Sequence, residues 1–445
     1  MTADRSTLGR VQAGLVAATG ATCLLSIFSA QLALALALAV FVVRLVRGRT
    51  RLQRTPLDTP IIVFCVWTLL SAAFSTNPVV AHEDAKKLVL FALFYLALDS
   101  AAGGRDRERL MDAVLLGGLV LAGAAILQFH FLGFDTINTR PKSFLGHYMT
   151  ASGLSMGVLI VAAARLAFTR GWAPPGRSDF QLLAGVGAGL ALLTTLQGLG
   201  VFGLEAERLF VAGLAVTAVG MIVAREGWPN PGTSTTLAVL AFALSAWSLL
   251  LSRTRNAWLG ALAGLVVVSV LRSRRTLWLV GAAVAAVFVV RPATVIDRLT
   301  LTDESARDRY YMWQAGIDMI LDRPVFGQGP GMIVMTYPEY RWPEAPKPST
   351  PHLHDNALQI AAERGIPCAV FWVWLVAAAM ADFWRECRRG LAGPGWVAGA
   401  ALALFTAVMA AGLFEYNFGD SEILMLTLVV ASLPYALRRE RTANA

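Results

Sequence analysis

The sequence predicts an all-α polytopic membrane protein with about 12–14 transmembrane helices. Its 445 residues are 56% hydrophobic and only 15% charged. Apolar runs of about 15–23 residues recur along the chain, close to the length that a helix needs to cross the hydrocarbon core. A bilayer accepts only helices or closed barrels, and these runs are too long for barrel strands. We therefore predict a helical bundle with no separate soluble domain.

Fourteen apolar runs are candidate spans, and they follow one another from the first residues onward. They are 11–28, 31–46, 60–75, 84–98, 110–132, 148–168, 179–197, 206–224, 235–251, 256–271, 276–290, 366–383, 395–414 and 421–437. Several are short for a span of roughly 20 residues, which leaves twelve as the alternative count. The first run lacks a convincing small-residue cleavage site and leads straight into the second, so we predict that it is retained.

Arginine clusters give the predicted orientation. They lie at 44–54, 105–109, 272–275, 385–389 and 438–441, and all fall on one side of the predicted membrane. Because basic loops stay in the cytoplasm, this side is predicted to be inner. The net charge of +9 is then a topology signal rather than a nucleic-acid footprint, because the basic runs are short and scattered among spans. We expect membrane lipids, and no nucleic acid, as partners.

This orientation divides the chain into three predicted parts. Residues 1–290 form an N-terminal transmembrane bundle, and residues 291–365 form an outer loop region that precedes the last three helices. Residues 366–445 hold those helices and a short inner tail.

The outer interval contains one helical pattern and two turn-rich stretches. Residues 303–322 predict an amphipathic helix lying along the membrane surface, with Trp313, Ile317, Ile320 and Leu321 on its apolar face. The glycine-rich sequence FGQGPG at 326–331 indicates a turn, since it lacks the Gly-Lys ending of a nucleotide loop. The proline-rich stretch 342–351 is predicted to form a mobile flap over a site.

The stretch 349–368 closes this interval and carries two of the five histidines, His352 and His354. Pro351 keeps the chain out of a helix, and Asp355 can cap the helix that follows. His354 is therefore predicted at a loop-to-helix junction, where it could be a reactive base or only a hydrogen-bonded cap. A His-x-His pair with no third ligand nearby is a weak metal signal, and the outer interval has no Asp-x-Asp pair. We predict no metal, no cofactor and, for four cysteines without a Cys-x-x-Cys pair, no disulfide.

Four outer cations are candidates for binding an anionic substrate. Arg255 lies in the tight turn 252–256, Arg140 and Lys142 lie in the short loop 139–143, and Arg309 lies on the predicted surface helix. Cations at the edge of a membrane commonly extend toward lipid headgroups. Alternatively, several of them converging would bind a pyrophosphate, because guanidinium groups pair bidentately with phosphate oxygens.

Three motifs in order carry a family resemblance. The sequence HDNALQIAAERGIPC at 354–368 resembles the signature of the bacterial O-antigen ligase and polymerase superfamily, a histidine, usually followed by Asn, Ser or Gln, then nine residues and a glycine. TRNAW at 254–258 resembles the family's Ser-Arg-Gly-Ala-Trp turn. The stretch from RYYMW at 309–313 to PVFGQG at 324–329 resembles its main periplasmic loop. Asp355 in place of the usual amide, and the substitutions around Arg255 and at Cys368, are departures from these patterns.

The resemblance implies a GT-C-like fold in the bacterial inner membrane and a reaction at the periplasmic face. The donor would be a glycan on undecaprenyl pyrophosphate, and the acceptor a sugar hydroxyl of lipid A–core oligosaccharide. His354 would be the catalytic base, with Arg255, Arg140, Lys142, Arg309 and Asn356 binding substrate. The chemistry agrees, because arginines can stabilise a leaving diphosphate without a metal and an imidazole suits an acceptor proton.

Two other readings stay open. One is a different lipid-linked glycan transferase, either an O-antigen polymerase or a protein oligosaccharyltransferase. The short stretch after the last apolar run disfavours oligosaccharyltransferases with a large C-terminal periplasmic domain. The other is a transporter, which would favour ionisable residues at mid-membrane, whereas here the polar residues collect in the outer loops.

Overall fold

The computed structural model describes residues 6–136, 138–169, 231–290 and 304–444, and every regular element in these ranges is helical. The α-helices are α1 Thr7–Thr22, α2 Ile27–Val46, α3 Asp58–Ala73, α4 Pro78–Ala85, α5 Ala92–Ser100, α6 Gly104–Phe131, α7 Tyr148–Phe168, α8 Pro231–Leu251, α9 Arg255–Arg272, α10 Leu277–Val290, α11 Glu304–Asp322, α12 Ile333–Tyr340, α13 Asn356–Arg388, α14 Trp396–Ala411 and α15 Ser421–Asn444. Short 3₁₀ turns occur at Lys86–Phe91, Arg274–Thr276, Gly393–Gly395 and Asn417–Gly419.

The helical, multi-pass character predicted from composition is confirmed. Eight helices in the described ranges are long and apolar enough to cross a membrane, and α3 is a shorter apolar helix. The predicted spans 179–197 and 206–224 lie outside the described residues.

The predicted span 84–98 is wrong as a single helix. The chain forms α4, a 3₁₀ turn over Lys86–Phe91, and then α5. The turn begins with two lysines, each paired with an acidic residue three positions earlier; Lys87 Nζ lies 2.5 Å from Asp84 Oδ1. Because side chains at i and i+3 eclipse in a 3₁₀ helix, these pairs favour the tighter turn.

Ion pairs gather at one end of the bundle, which we call the arginine-rich end. Arg44 on α2 pairs with Asp99 on α5 at 2.7 Å, and Arg165 on α7 pairs with Asp112 on α6 at 2.6 Å. Further pairs link Arg107 to Glu440 and Arg438 to both Asp382 and Glu386. The predicted inner clusters thus share one end of the molecule. The opposite end carries the loops around 74–91, 132–147, 252–254 and 412–420 together with residues 304–355, and we call it the loop-rich end.

A kink divides α13 at Gly365, whose φ of 81° and ψ of 164° are open only to glycine. The turn 324–331 is seated in this kink. Ile366 N–H donates to the Pro324 carbonyl at 2.8 Å, and Gly329 N–H donates to the Glu363 carbonyl at 2.8 Å. The FGQGPG sequence is therefore a structural turn, as predicted. The predicted domain boundary at residue 365 stays a prediction.

The predicted surface helix is present as α11, and it buries a stripe that the sequence analysis did not single out. Met312, Ala315 and Met319, at i, i+3 and i+7, are buried and pack against Tyr337, Leu353 and other residues of one small apolar cluster. Ile317 and Leu321, which belong to the predicted membrane-facing side, are exposed. That this side lies along the membrane surface stays a prediction.

Close packing of α9 on α14 sets the height of Arg255. A Cβ at Gly260 would lie 2.6 Å from the Ala407 carbonyl, and one at Gly264 would lie 3.1 Å from the Ala403 carbonyl. Moving one turn down α9 thus corresponds to moving one turn back along α14, so the two helices run antiparallel. The start of α9, at Arg255, therefore lies level with the loop that follows α14.

Candidate functional site

Hydrogen bonds from three side chains hold the histidine loop in place. The Leu353 N–H donates to Gln359 Oε1 at 2.7 Å, and the Trp313 indole N–H donates to the Leu353 carbonyl at 3.1 Å. The Thr350 hydroxyl donates to the His352 carbonyl at 2.8 Å. With the Leu353 side chain fully buried as well, the two histidines on either side of it have a fixed backbone.

His354 has a left-handed backbone, with φ of 55°. Such conformations are uncommon for residues other than glycine and cluster at functional sites. The turn delivers the chain into α13, where the Asp355 carboxylate accepts from the Leu358 N–H at 2.7 Å. The predicted N-cap at Asp355 is confirmed, and with it the position of His354 at a loop-to-helix junction.

The imidazole of His354 contacts a buried carboxylate from another part of the chain. Its Nδ1 lies 3.1 Å from Glu415 Oε2, and the other carboxylate oxygen accepts from the Tyr416 N–H at 3.1 Å. His352 joins the group, with its Nε2 3.5 Å from Glu415 Oε1 and its ring centroid 4.3 Å from that of His354. Two histidines and one glutamate therefore form a single cluster.

Asn356 fixes the distance between the two halves of this cluster. Its N–H donates to the Gly412 carbonyl at 2.8 Å, and its side-chain oxygen accepts from the Phe418 N–H at 3.0 Å. The loop that carries Glu415 is thus tied to the first residue of α13 at both of its ends. Asn356 is buried and committed to this tie, a position that favours a structural role over the substrate contact expected from sequence.

The protonation of the cluster follows from burial and from its own charges. Burial raises the pKa of Glu415, but the hydrogen bond from His354 and the charges of both histidines outweigh it, and the pKa falls below its usual value. Glu415 is therefore ionised at neutral pH and must accept, which assigns a proton to Nδ1 of His354. Burial, aided by Arg309 and the other histidines, lowers the pKa of His352 to about 4, against the opposing charge of Glu415. His352 is neutral at physiological pH.

A polar cavity of about 260 Å³ opens beside the cluster. Its walls come from α4 and the 3₁₀ turn, the start of α7, the glycine-rich turn, α13 and the loop after α14. The lining residues are Asp84, Lys87, His147, Met149, Thr150, Gly331, Pro351, His352, Gln359, Glu363, Glu415, Tyr416, Asn417, Gly419, Asp420 and Ile423. Carboxylates, amides and hydroxyls of this kind suit a ligand rich in hydroxyl groups.

One segment of the chain is similar to a known protein family. Residues 240–373 match the family model described as O-Antigen ligase. This segment is therefore similar to the O-antigen ligase family, and the match supports assigning the chain to it. A search of curated proteins finds no match to this chain.

The family segment contains most, but not all, of the site. It runs from α8 to beyond the kink of α13 and includes Arg255, Arg309 and His354. Glu415 and the cavity residues on α4 and α7 lie outside it. The loop that completes the histidine cluster is therefore contributed by a part of the chain that the family model does not cover.

The predicted cations lie at different distances from the cluster. The Arg140 guanidinium lies 4.4 Å from the ring centre of Tyr148, the residue after the cavity residue His147. Arg309 is close enough for its charge to lower the pKa of His352. Arg255 begins α9, level with the loop of Glu415. Lys142 donates its backbone N–H to Gln128, which fixes the loop, and it does not line the cavity.

Sequence reasoning missed three residues of the site. Glu415, 61 residues beyond His354, is its hydrogen-bond partner, and Lys87 and His147 line the cavity. An acidic residue in the short loop between two apolar runs was the available signal for Glu415. It also supplies the third donor that the His-x-His pair lacked, so the three residues form a group that could hold a metal ion. The absence of a metal expected from sequence stays a prediction.

Proposed function

We propose that the protein is an O-antigen ligase that transfers a glycan from undecaprenyl pyrophosphate to a sugar hydroxyl of lipid A–core. The reaction would take place at the loop-rich end, facing the periplasm, in a GT-C-like bundle of the bacterial inner membrane. The observation that carries this proposal is the His354–Glu415 hydrogen bond, set beside a polar cavity.

His354 is the base in this proposal. Its Nδ1 donates to the ionised Glu415, which leaves Nε2 with a lone pair to accept a proton. As the proton arrives, the buried carboxylate stabilises the imidazolium that forms. Glu415 is then a positioning residue, because it acts on the substrate only through His354.

Cations around the cavity supply the charge that a diphosphate leaving group needs. Lys87 lines the cavity and pairs with Asp84, and Arg140, Arg309 and Arg255 lie on three other segments near the cluster. Fixed positive charge stabilises the developing anion without a metal ion. Arginine adds bidentate pairing with phosphate oxygens, which a lysine cannot match.

The proposed step balances as a direct displacement. The acceptor hydroxyl oxygen bonds to the anomeric carbon while its proton passes to Nε2 of His354. The bond from the anomeric carbon to the phosphate oxygen breaks, and undecaprenyl pyrophosphate leaves with the electron pair. A single displacement of this kind inverts the anomeric carbon.

The test uses purified full-length protein, lipid-linked glycan and lipid A–core. His354→Ala should lose roughly 10²–10⁴-fold in rate, the usual contribution of a general base, with little change in donor binding. Arg255→Ala should weaken both donor binding and rate, and Arg255→Lys should recover only part. His82→Ala, an exposed histidine of the same end, and Arg51→Ala, an exposed arginine of the opposite end, are the matched controls.

The same assay separates the ligase from the alternatives. A ligase gives one slower band of glycosylated lipid A–core, whereas a polymerase gives a ladder on the lipid carrier. An active His354→Ala protein would reduce the histidine to a structural cap, and unchanged donor binding in Arg255→Ala would move the pyrophosphate toward Arg140 and Lys142. Movement of the lipid-linked glycan without bond formation would indicate a transporter.

A further inference from the structure

The histidine–glutamate cluster has the dimensions of a metal site. One ligand atom from each of His352, His354 and Glu415 falls within 4.8 Å of the others. The two imidazole nitrogens that face Glu415 lie 3.1 Å and 3.5 Å from its oxygens. A tetrahedral zinc site with bonds of about 2.0–2.1 Å has ligand-to-ligand edges of about 3.3–3.4 Å. An ion could therefore enter with only small side-chain movements.

Two further observations point to a ligand at this place. His352 and Glu415 line the 260 Å³ cavity, so an ion bound to them would keep an open position toward water. The Nδ1 atom of His352 is buried and has no hydrogen-bond partner among the described residues. No second hydrogen bond among the described residues fixes the tautomer of this ring, so its proton can lie on Nδ1 and leave the lone pair of Nε2 for a metal ion.

The donor set selects the kind of ion. Two imidazoles and one carboxylate suit zinc and other transition metals, whereas Mg²⁺ and Ca²⁺ prefer oxygen ligands throughout. A third histidine, His147, lines the same cavity and adds nitrogen donors to its wall.

We propose that His352, His354 and Glu415 bind Zn²⁺, and that the bound ion blocks glycan transfer. The inhibition rests on the proposed function, in which Nε2 of His354 accepts the acceptor proton. Zinc on Nδ1 takes the place of the proton there, so the neutral ring carries its proton on Nε2 and has no lone pair to accept another. The ion also removes Glu415 from its partner. Zinc is thus an inhibitor of this site and not its cofactor.

Binding is measured first, on the purified full chain with Zn²⁺ alone. Titration calorimetry should give one ion per chain, and Co²⁺ at the same site should show the visible absorption of a low-coordinate nitrogen and oxygen environment. Loss of a residue that only supports a ligand costs 10–100-fold in metal affinity, so His352→Ala and Glu415→Ala should each lose at least about tenfold. The control His82→Ala should bind like the unaltered protein.

Transfer is measured in the same preparations. Zn²⁺ should inhibit it over the range in which calorimetry shows binding, and EDTA should restore it. If His352→Ala and His82→Ala bind Zn²⁺ with equal affinity, or if the unaltered protein binds none, the metal site is overturned. The proposed role of His354 as a base would still stand, provided that His354→Ala is inactive. Transfer abolished by EDTA and restored by Zn²⁺ would overturn both the inhibition and the metal-free reaction. Binding without any effect on transfer would overturn the inhibition alone.

Discussion

Replacing Glu415 by glutamine tests the role of the His354–Glu415 pair with little change in volume. The amide keeps the shape of the buried carboxylate but cannot balance the charge of an imidazolium at 3.1 Å. A hydrogen bond to a charged group contributes about 1.5–3 kcal/mol. At about 1.36 kcal/mol for each factor of ten, Glu415→Gln should lose about 10- to 150-fold in the rate of transfer. The loss should stay below that of His354→Ala, since the base itself is still present.

The assay is single-turnover transfer from lipid-linked glycan to lipid A–core, with Glu344→Gln on the exposed connector as control. A double variant shows whether Glu415 acts through His354. Once His354 is alanine, Glu415→Gln should cost little more, because the two residues act as a unit. A merely structural glutamate would lower both backgrounds by the same factor. That result, or a Glu415→Gln protein within about threefold of the unaltered rate, would refute the proposed role.

Three other predictions concern the scaffold, the orientation and the metal. A Cβ at Gly365 would lie 2.0 Å from the Val325 carbonyl oxygen. Gly365→Ala should therefore lower the free energy of unfolding by more than the roughly 1–3 kcal/mol of a strained backbone and lower the Tm. Gly14→Ala, which has open space around it, should leave the Tm unchanged, and equal Tm values for the two variants would contradict this account of the kink. In a cysteine-free background, an impermeant thiol reagent applied from outside should label Glu344→Cys and miss Arg274→Cys, and the reverse pattern would invert the predicted orientation. Transfer should survive EDTA, and activity that returns only with Mg²⁺ or Mn²⁺ would disprove a metal-free reaction.

The parts of the fold that follow from local chemistry were predictable from sequence. Apolar runs of spanning length gave most of the long helices within a few residues of their observed ends. Asp355 was predicted to cap α13 because a short acidic side chain at the start of a helix accepts a hydrogen bond from a backbone N–H of the first turn. The position of His354 just before this helix was predicted from the same pattern.

The parts of the fold and of the site that were not predicted depend on tertiary contacts. Glu415 meets His354 across 61 residues, and no local pattern joins them. The face that α11 buries is decided by the small cluster around Tyr337 and Leu353, which a helical wheel does not contain. The family resemblance implied that Asn356 binds substrate, and this stays a prediction. The sequence could not show that its backbone N–H donates to the Gly412 carbonyl and that its side-chain oxygen accepts from the Phe418 N–H.

The tie between Asn356 and the loop of Glu415 has a consequence for biogenesis. Residues 240–373 are synthesised and can enter the membrane before Glu415 leaves the ribosome, so the histidines exist for a time without their carboxylate. A chain interrupted in the turn between α13 and α14 would contain the whole family segment and still lack the carboxylate that contacts His354. If His354 is the base, as proposed, the site is complete only once the hairpin formed by α14 and α15 has been inserted. Its arrival could be timed by the appearance of transfer during synthesis into membranes.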